Sequence, residues 1–147
     1  MRTQNELREC LSCSCFAVRR AARVITQHYD RHLRPTGLRA TQFTVLVVLA
    51  LEGPLPLSQA ADHLGMERTT LTRNLRLLRG RGLIREQGSD DKRIRMLAIT
   101  RKGAAAARSA LPRWRAAQRS IAEQLGAPAV QALSLAAGAA AGVAAAK

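Results

Sequence analysis

Three cysteines, Cys10, Cys13 and Cys15, crowd the start of the chain in the spacing C-x2-C-x-C. Thiolates packed this densely suit a soft metal, an iron–sulfur cluster or a peroxide-sensing thiol pair. Three ligands fall short of a four-thiolate site, so a histidine, a small molecule or a second subunit would have to complete it. The same residues also serve as small apolar side chains in a subunit interface, and both readings stay open. On a continuous helix Cys10 and Cys13 would share a face. Arg19 and Arg20 would lower a thiol pKa if they lay close in space. His28 and His32 stand four residues apart, a ligand-compatible spacing, but no carboxylate completes an HExxH-type set, which favours polar or pocket-lining histidines. His63 needs no function. The chain has no G-x-S-x-G, no P-loop, no G-x-G-x-x-G after a strand and no carboxylate pair flanking a plausible cleft, which argues against an enzyme.

A different chemistry is written in the arginines. The 147 residues carry a net charge of +14, and lysine contributes only Lys92, Lys102 and Lys147 to it. Guanidinium groups make planar, bidentate contacts to phosphates and guanine edges. Half of the excess lies in residues 66–102, where nine arginines and two lysines face four acids. An anionic partner at this segment is expected. From about Glu67 to Arg79, Leu71, Leu75 and Leu78 form one helical stripe. At about 100° per residue, Thr69, Arg73 and Arg76 project from the opposite side with Thr72 beside them. With Arg68 and Thr70 they form a surface suited to a DNA major groove.

The elements that must position this surface follow from the flanking sequence. Leu7, Leu11, Ala17, Val18, Ala21, Ala22, Ile25 and Tyr29 recur at helical steps from Glu6 to about Leu33, until Pro35 and Gly37 stop the helix. Thr41 is placed to cap a second helix, with Phe43, Leu46, Val47, Ala50 and Leu51 on its buried side and Gly53-Pro54 at its end. Ser58 is placed to cap a third, which Gly65 closes. A short helix, a glycine turn and a new basic helix have helix-turn-helix spacing. Leu83–Glu86 and Ile94–Ile99 then read as two strands joined by the charged tip Gly88–Arg93. Such a hairpin is a wing: Arg93, with Lys92 and Arg95, is expected at an adjacent minor groove, and Asp91 is expected to hold the hairpin or the arginine in place. A long helix runs from Thr100 to Leu125 with a kink expected at Pro112, and Ala127-Pro128 opens a last Ala-rich helix toward Ala146.

In that order the residues LSQAADHLGMERTTLTRNLRLLRGRGLIREQGSDDKRIRMLAITRKG resemble the winged helix-turn-helix regulators of the MarR family. The resemblance lies in the helix-turn-helix, the D-x-R wing at Asp91–Arg93, and the closing L-x-x-T-x-x-G at Leu97, Thr100 and Gly103. It spans about residues 16–125 and implies a mainly α fold with a small β-hairpin wing. Residues 1–34 and 101–147 would form the dimerisation helices and residues 35–100 the DNA-binding region of one compact domain. It further implies a homodimer on a pseudo-palindromic operator of double-stranded DNA, usually a repressor released by a ligand or oxidant. Tyr29 and Trp114, with His28, would line a pocket for a small aromatic effector. No cofactor is required on this reading, beyond whatever metal or cluster the cysteines take. No targeting or membrane-spanning segment is visible, so a cytoplasmic protein is expected. A protein that coats DNA without sequence preference is the alternative.

Overall fold

The computed structural model describes residues 7–88 and 94–145 of the chain. Its first long helix, α1, runs Ser14–Leu33. The turn before it breaks the expected continuous helix: Cys10–Ser12 form a 3-10 turn, and Cys13 is extended at φ −68°, ψ 145°. Cys13 then caps α1, its Sγ accepting the Phe16 N–H at 3.3 Å. Cys10 and Cys13 therefore do not share a helical face. The upstream leucines Leu7 and Leu11 are exposed, so neither adds a buried side chain that would extend the helical stripe of α1.

α1 ends where Pro35 and a left-handed Gly37, φ +72°, turn the chain. The next helix, α2, spans Ala40–Glu52. Its cap is Arg39 rather than Thr41, because the Asp30 carboxylate reaches from α1 to accept the Ala40 N–H at 2.7 Å. Gln42 folds back to accept the Arg39 N–H at 3.1 Å. The buried arc of α2 also departs from expectation: Gln42, Phe43, Val45, Leu46 and Leu49 are buried, whereas Ala50 and Leu51 are exposed. This helix packs against α1, the helix-turn-helix and the long C-terminal helix together, so its covered side is wide and shifted.

A short strand missed by the periodicity, β1 (Leu55–Pro56), follows. It leads directly into α3, Leu57–Leu64, whose cap position is Pro56 and not Ser58. The strand pairing of Pro56 with Met96 fixes the chain's entry into the helix before Ser58 is reached. Pro56 lies on an edge strand, where a missing N–H costs little. Gly65 closes α3 in the left-handed region, and α4 runs Arg68–Gly80. The strands β2 (Ile84–Gly88) and β3 (Arg95–Ile99) pair antiparallel, and the sheet order is β1-β3-β2. β2 starts one residue later than expected because the Leu83 N–H is spent on the Leu78 carbonyl at the end of α4.

The core gathers Leu33, Leu38, Val45, Leu46, Leu49, Leu71, Leu78 and Leu83, none more than 2% exposed. Above it lie α5 (Arg101–Leu125), which continues through Pro112, and α6 (Ala127–Ala145). Phe43 stacks on Trp114 at 6.2 Å between ring centres, tying α2 to α5. Tyr29 donates a hydrogen bond to Gln118, tying α1 to α5.

Candidate nucleic-acid interface

α4 has two faces with different tasks. Leu71, Leu75 and Leu78 are buried in the core and fix the helix. Full burial of a leucine is worth about 1.5–3 kcal/mol, so three of them pin the helix firmly. Arg68, Thr69, Thr70, Thr72, Arg73 and Arg76 are all exposed. Among the described residues Arg68, Arg73 and Arg76 make no ion pair, so their donors are available to an incoming anion or base edge. The Thr72 hydroxyl donates to the Arg68 carbonyl at 2.7 Å, so its oxygen keeps lone pairs for an incoming donor. Asn74 donates to the Thr70 carbonyl at 3.0 Å and is likewise satisfied within the helix.

At the far end of this helix lies a contact that periodicity does not reveal. Glu86 on β2 pairs with Arg79 on α4 and with Arg95 on β3, the latter at 3.4 Å. One carboxylate thereby links the helix to the wing. Arg79 and Glu86 carried no signal of their own in the sequence, since their pairing depends on where β2 meets α4. Arg95, expected at the groove, is exposed on the wing. The other wing positions, Asp91, Lys92 and Arg93, lie outside the described residues.

The wing base is anchored through the start of α5. The Thr100 hydroxyl accepts the Gly103 N–H at 3.0 Å as the helix cap and donates to the Gly82 carbonyl at 2.7 Å. A Cβ on Gly103 would stand 2.0 Å from the Leu83 carbonyl oxygen, so only glycine allows the close approach of α5 to the turn after α4.

A leucine-pinned helix with an outward arginine and threonine face, a preceding short helix and a following hairpin is a winged helix-turn-helix. The family model of the MarR family matches residues 36–94. The Mycobacterium tuberculosis transcriptional regulator MosR is 41% identical over 90% of this chain and 97% of its own, with a TM-score of 0.77. The chain belongs to the MarR family. In complex with DNA, MosR superposes with a TM-score of 0.79, 42% identical over 90% of this chain and 98% of that one. The repressor CouR bound to a 23-mer DNA duplex is 28% identical over 90% of this chain and 95% of its own, TM-score 0.77, and CouR is also known bound to p-coumaroyl-CoA. MhqR of Bacillus subtilis is 34% identical over 85 residues, 57% of this chain and 59% of that protein. The chain thus spans about 60% of the length of the curated relatives it matches, 62% and 59% for the two from Bacillus subtilis. These relatives are transcriptional regulators.

The remaining candidates of this MarR-family chain fall in separate places. Cys10, Cys13 and Cys15 are exposed. Among the described residues no three metal-ligating side chains converge. Tyr29 and Trp114 do share a cleft of about 210 Å³, with Ile25, Thr26, Ala40 and Thr44. His28 does not line it. It is buried, with its ring 4.5 Å from that of His32. Burial lowers the His28 pKa below its usual 6.5, and the nearby His32 and Arg31 lower it further against a weaker opposing contact with the Ala117 backbone. Burial likewise raises the Tyr29 pKa above 10.0. No helix among the described residues is long and apolar enough to cross a membrane.

Proposed function

We propose that this chain is a DNA-binding transcriptional regulator that acts as a homodimer, represses from a pseudo-palindromic operator, and is released by a small ligand or by oxidation of its thiols. The observation that carries the reading is the exposed row Arg68, Thr69, Thr70, Thr72, Arg73 and Arg76 on a helix whose leucines are locked in the core. Two such helices in a two-fold dimer would sit about 34 Å apart and read an inverted repeat in successive major grooves. Lys92, Arg93 and Arg95 of the wing would add minor-groove and phosphate contacts, with Asp91 supporting the wing. Such a protein works where the chromosome is, in the cytoplasm.

Release has two routes on this reading. The cleft between Tyr29 and Trp114 suits an aromatic effector, and the buried His28 is not part of its lining. CouR, which binds an aromatic acyl thioester, and the Bordetella bronchiseptica regulator BpsR, controlled by 6-hydroxynicotinic acid, give precedents for that class. The exposed cysteines suit the second route: hydrogen peroxide and two thiols yield a disulfide and two waters, with the two thiols oxidised and the peroxide reduced. No resident cofactor enters either route.

Selection of bound fragments from the source genome with reduced and oxidised protein tests the function. Specific duplexes should bind at least about 10³-fold more tightly than random ones, with affinity falling steeply in salt. Equal affinity for all duplexes would identify a coating protein instead. Arg73→Ala should cost about 1–3 kcal/mol on the preferred duplex and relax selection at one base position. Mass spectrometry of the oxidised protein should show a disulfide, and its absence would remove the thiol route.

A further inference from the structure

We propose that Arg81 is a positioning residue for duplex recognition, one that sets which separation of operator half-sites this chain accepts. The inference rests on the reading of the chain as a dimeric DNA-binding protein, and it names the contact that holds each recognition helix in place against the rest of its subunit. Arg81 directly follows α4, and its guanidinium donates to the Gly37 carbonyl at 2.6 Å, in the turn between α1 and α2. The Arg81 carbonyl accepts the Lys102 ammonium at 2.8 Å from the first turn of α5. One residue thereby joins the turn that closes α1, the end of α4 and the start of α5.

Packing does not fix this turn. The last buried side chain of α4 is Leu78, and residues 79–82 are all exposed. Gly80 and Gly82 flank Arg81, and Gly82 is left-handed at φ +68°. A stretch with two glycines and no buried side chain has much conformational freedom, so its hydrogen bonds decide where it stands. The receiving turn is shaped for the guanidinium: Gly37 lies at φ +72°, and a Cβ on it would stand 3.2 Å from Arg81 Nη2. An exposed contact of this kind adds little to folding stability, because water competes for both partners. Its effect is on geometry. In a two-fold dimer each recognition helix would sit about 17 Å from the axis, half of the ~34 Å between successive major grooves. A rotation of about 10° at that radius moves the helix by about 3 Å, nearly one base-pair step of ~3.4 Å. Loosening the Arg81 contact therefore changes the tolerance for half-site spacing, whereas base preference belongs to the α4 side chains.

The test builds the half-site selected by the unaltered full chain into inverted repeats whose spacers differ by single base pairs. Fluorescence anisotropy should show the unaltered chain preferring one spacer at least about tenfold over its neighbours. Arg81→Gln should reduce that preference to about threefold or less and keep the base preference within each half-site. Arg81→Lys, which retains a donor for the Gly37 carbonyl, should restore most of the spacer preference. If Arg81→Gln fails to fold, Lys102→Gln, which frees the Arg81 carbonyl, should reduce the preference at least about threefold. Equal weakening on every spacer overturns the proposal, since a purely structural loss or a direct phosphate contact acts in that way. An unchanged preference in a folded variant overturns it as well. An unaltered chain that binds a single half-site as tightly as any inverted repeat overturns the dimer reading first, and this proposal with it.

Discussion

Glu86 sits between two cations that would otherwise both face solvent, and its charge is the local counterweight to the basic surface. Its partners Arg79 and Arg95 are 43% and 80% exposed at their side chains, so screening leaves the pair little intrinsic strength, of the order of 1 kcal/mol or less. On the proposed reading its larger effect would be on DNA binding. Glu86→Gln frees two guanidinium groups and removes a carboxylate from a surface expected to meet phosphates. Affinity for random duplex should rise, and the slope of log affinity against log salt should steepen by about one to two phosphates' worth. Fluorescence anisotropy on a random duplex over a salt series checks this, and an unchanged slope would place the Glu86 pair away from the nucleic acid. His28 carries the other prediction at this scale. Its pKa is lowered by burial first, then by His32 and Arg31. The unfolded chain therefore takes up the proton more readily than the folded one. Stability should be at its full value above pH 6.5 and fall as the pH drops below it toward the folded-state pKa. Urea titrations between pH 5 and about 8 should show that fall, and His28→Asn should flatten it.

Among the elements, the join between α4, the wing and α5 decides whether the basic surface is presented at all. Gly103→Ala puts a Cβ 2.0 Å from the Leu83 carbonyl oxygen and 2.9 Å from Ile99 Cγ1, and backbone at that distance cannot step aside cheaply. Overpacking of this kind costs typically about 1–3 kcal/mol, and it should appear as a lower urea midpoint together with weaker duplex binding. Thr100→Ala should cost roughly 1 kcal/mol by losing the helix cap, with a further loss from the Gly82 carbonyl. These two residues were legible as part of a pattern, and the structure gives the pattern its cause. The α4 faces were legible for a simpler reason: a leucine stripe at helical period dictates which side is buried. The caps of α2 and α3 were not. Thr41 and Ser58 are good capping types, but Asp30 on another helix and Met96 on another strand settle where those helices begin. The same limit hid Glu86, whose partners meet only once β2 is in register with β3 and packed beside α4. The expected unbroken N-terminal helix failed for the complementary reason, since Leu7 and Leu11 repeat at helical spacing without any surface in the chain to cover them.

At the scale of the whole molecule, apolar surface is left over that one chain cannot hide. α6 packs on α5, yet Leu133 is 40% and Leu135 is 67% exposed, and Val24 on α1 is 59% exposed. Val24, Ile25, Leu125 and Leu133 border an almost wholly apolar trough of about 520 Å³ between α1 and α6. Large apolar surfaces rimmed by charge mark association sites, and a two-fold pairing of identical chains covers such a surface on both partners at once. Placing an aspartate in the trough leaves the winged helix-turn-helix core untouched, because neither Val24 nor Leu133 belongs to it. If the proposed dimer forms through this trough, Leu133→Asp should leave only monomer in sedimentation equilibrium while keeping the circular dichroism helical. The monomer should retain weak, salt-sensitive binding to a half-site and lose the preference for an inverted repeat over a single copy, since that preference comes from coupling two recognition helices through one platform. A Leu133→Asp protein that stays dimeric would move the subunit interface off this trough; a monomer that still prefers the inverted repeat would show that the second helix is recruited on the DNA itself.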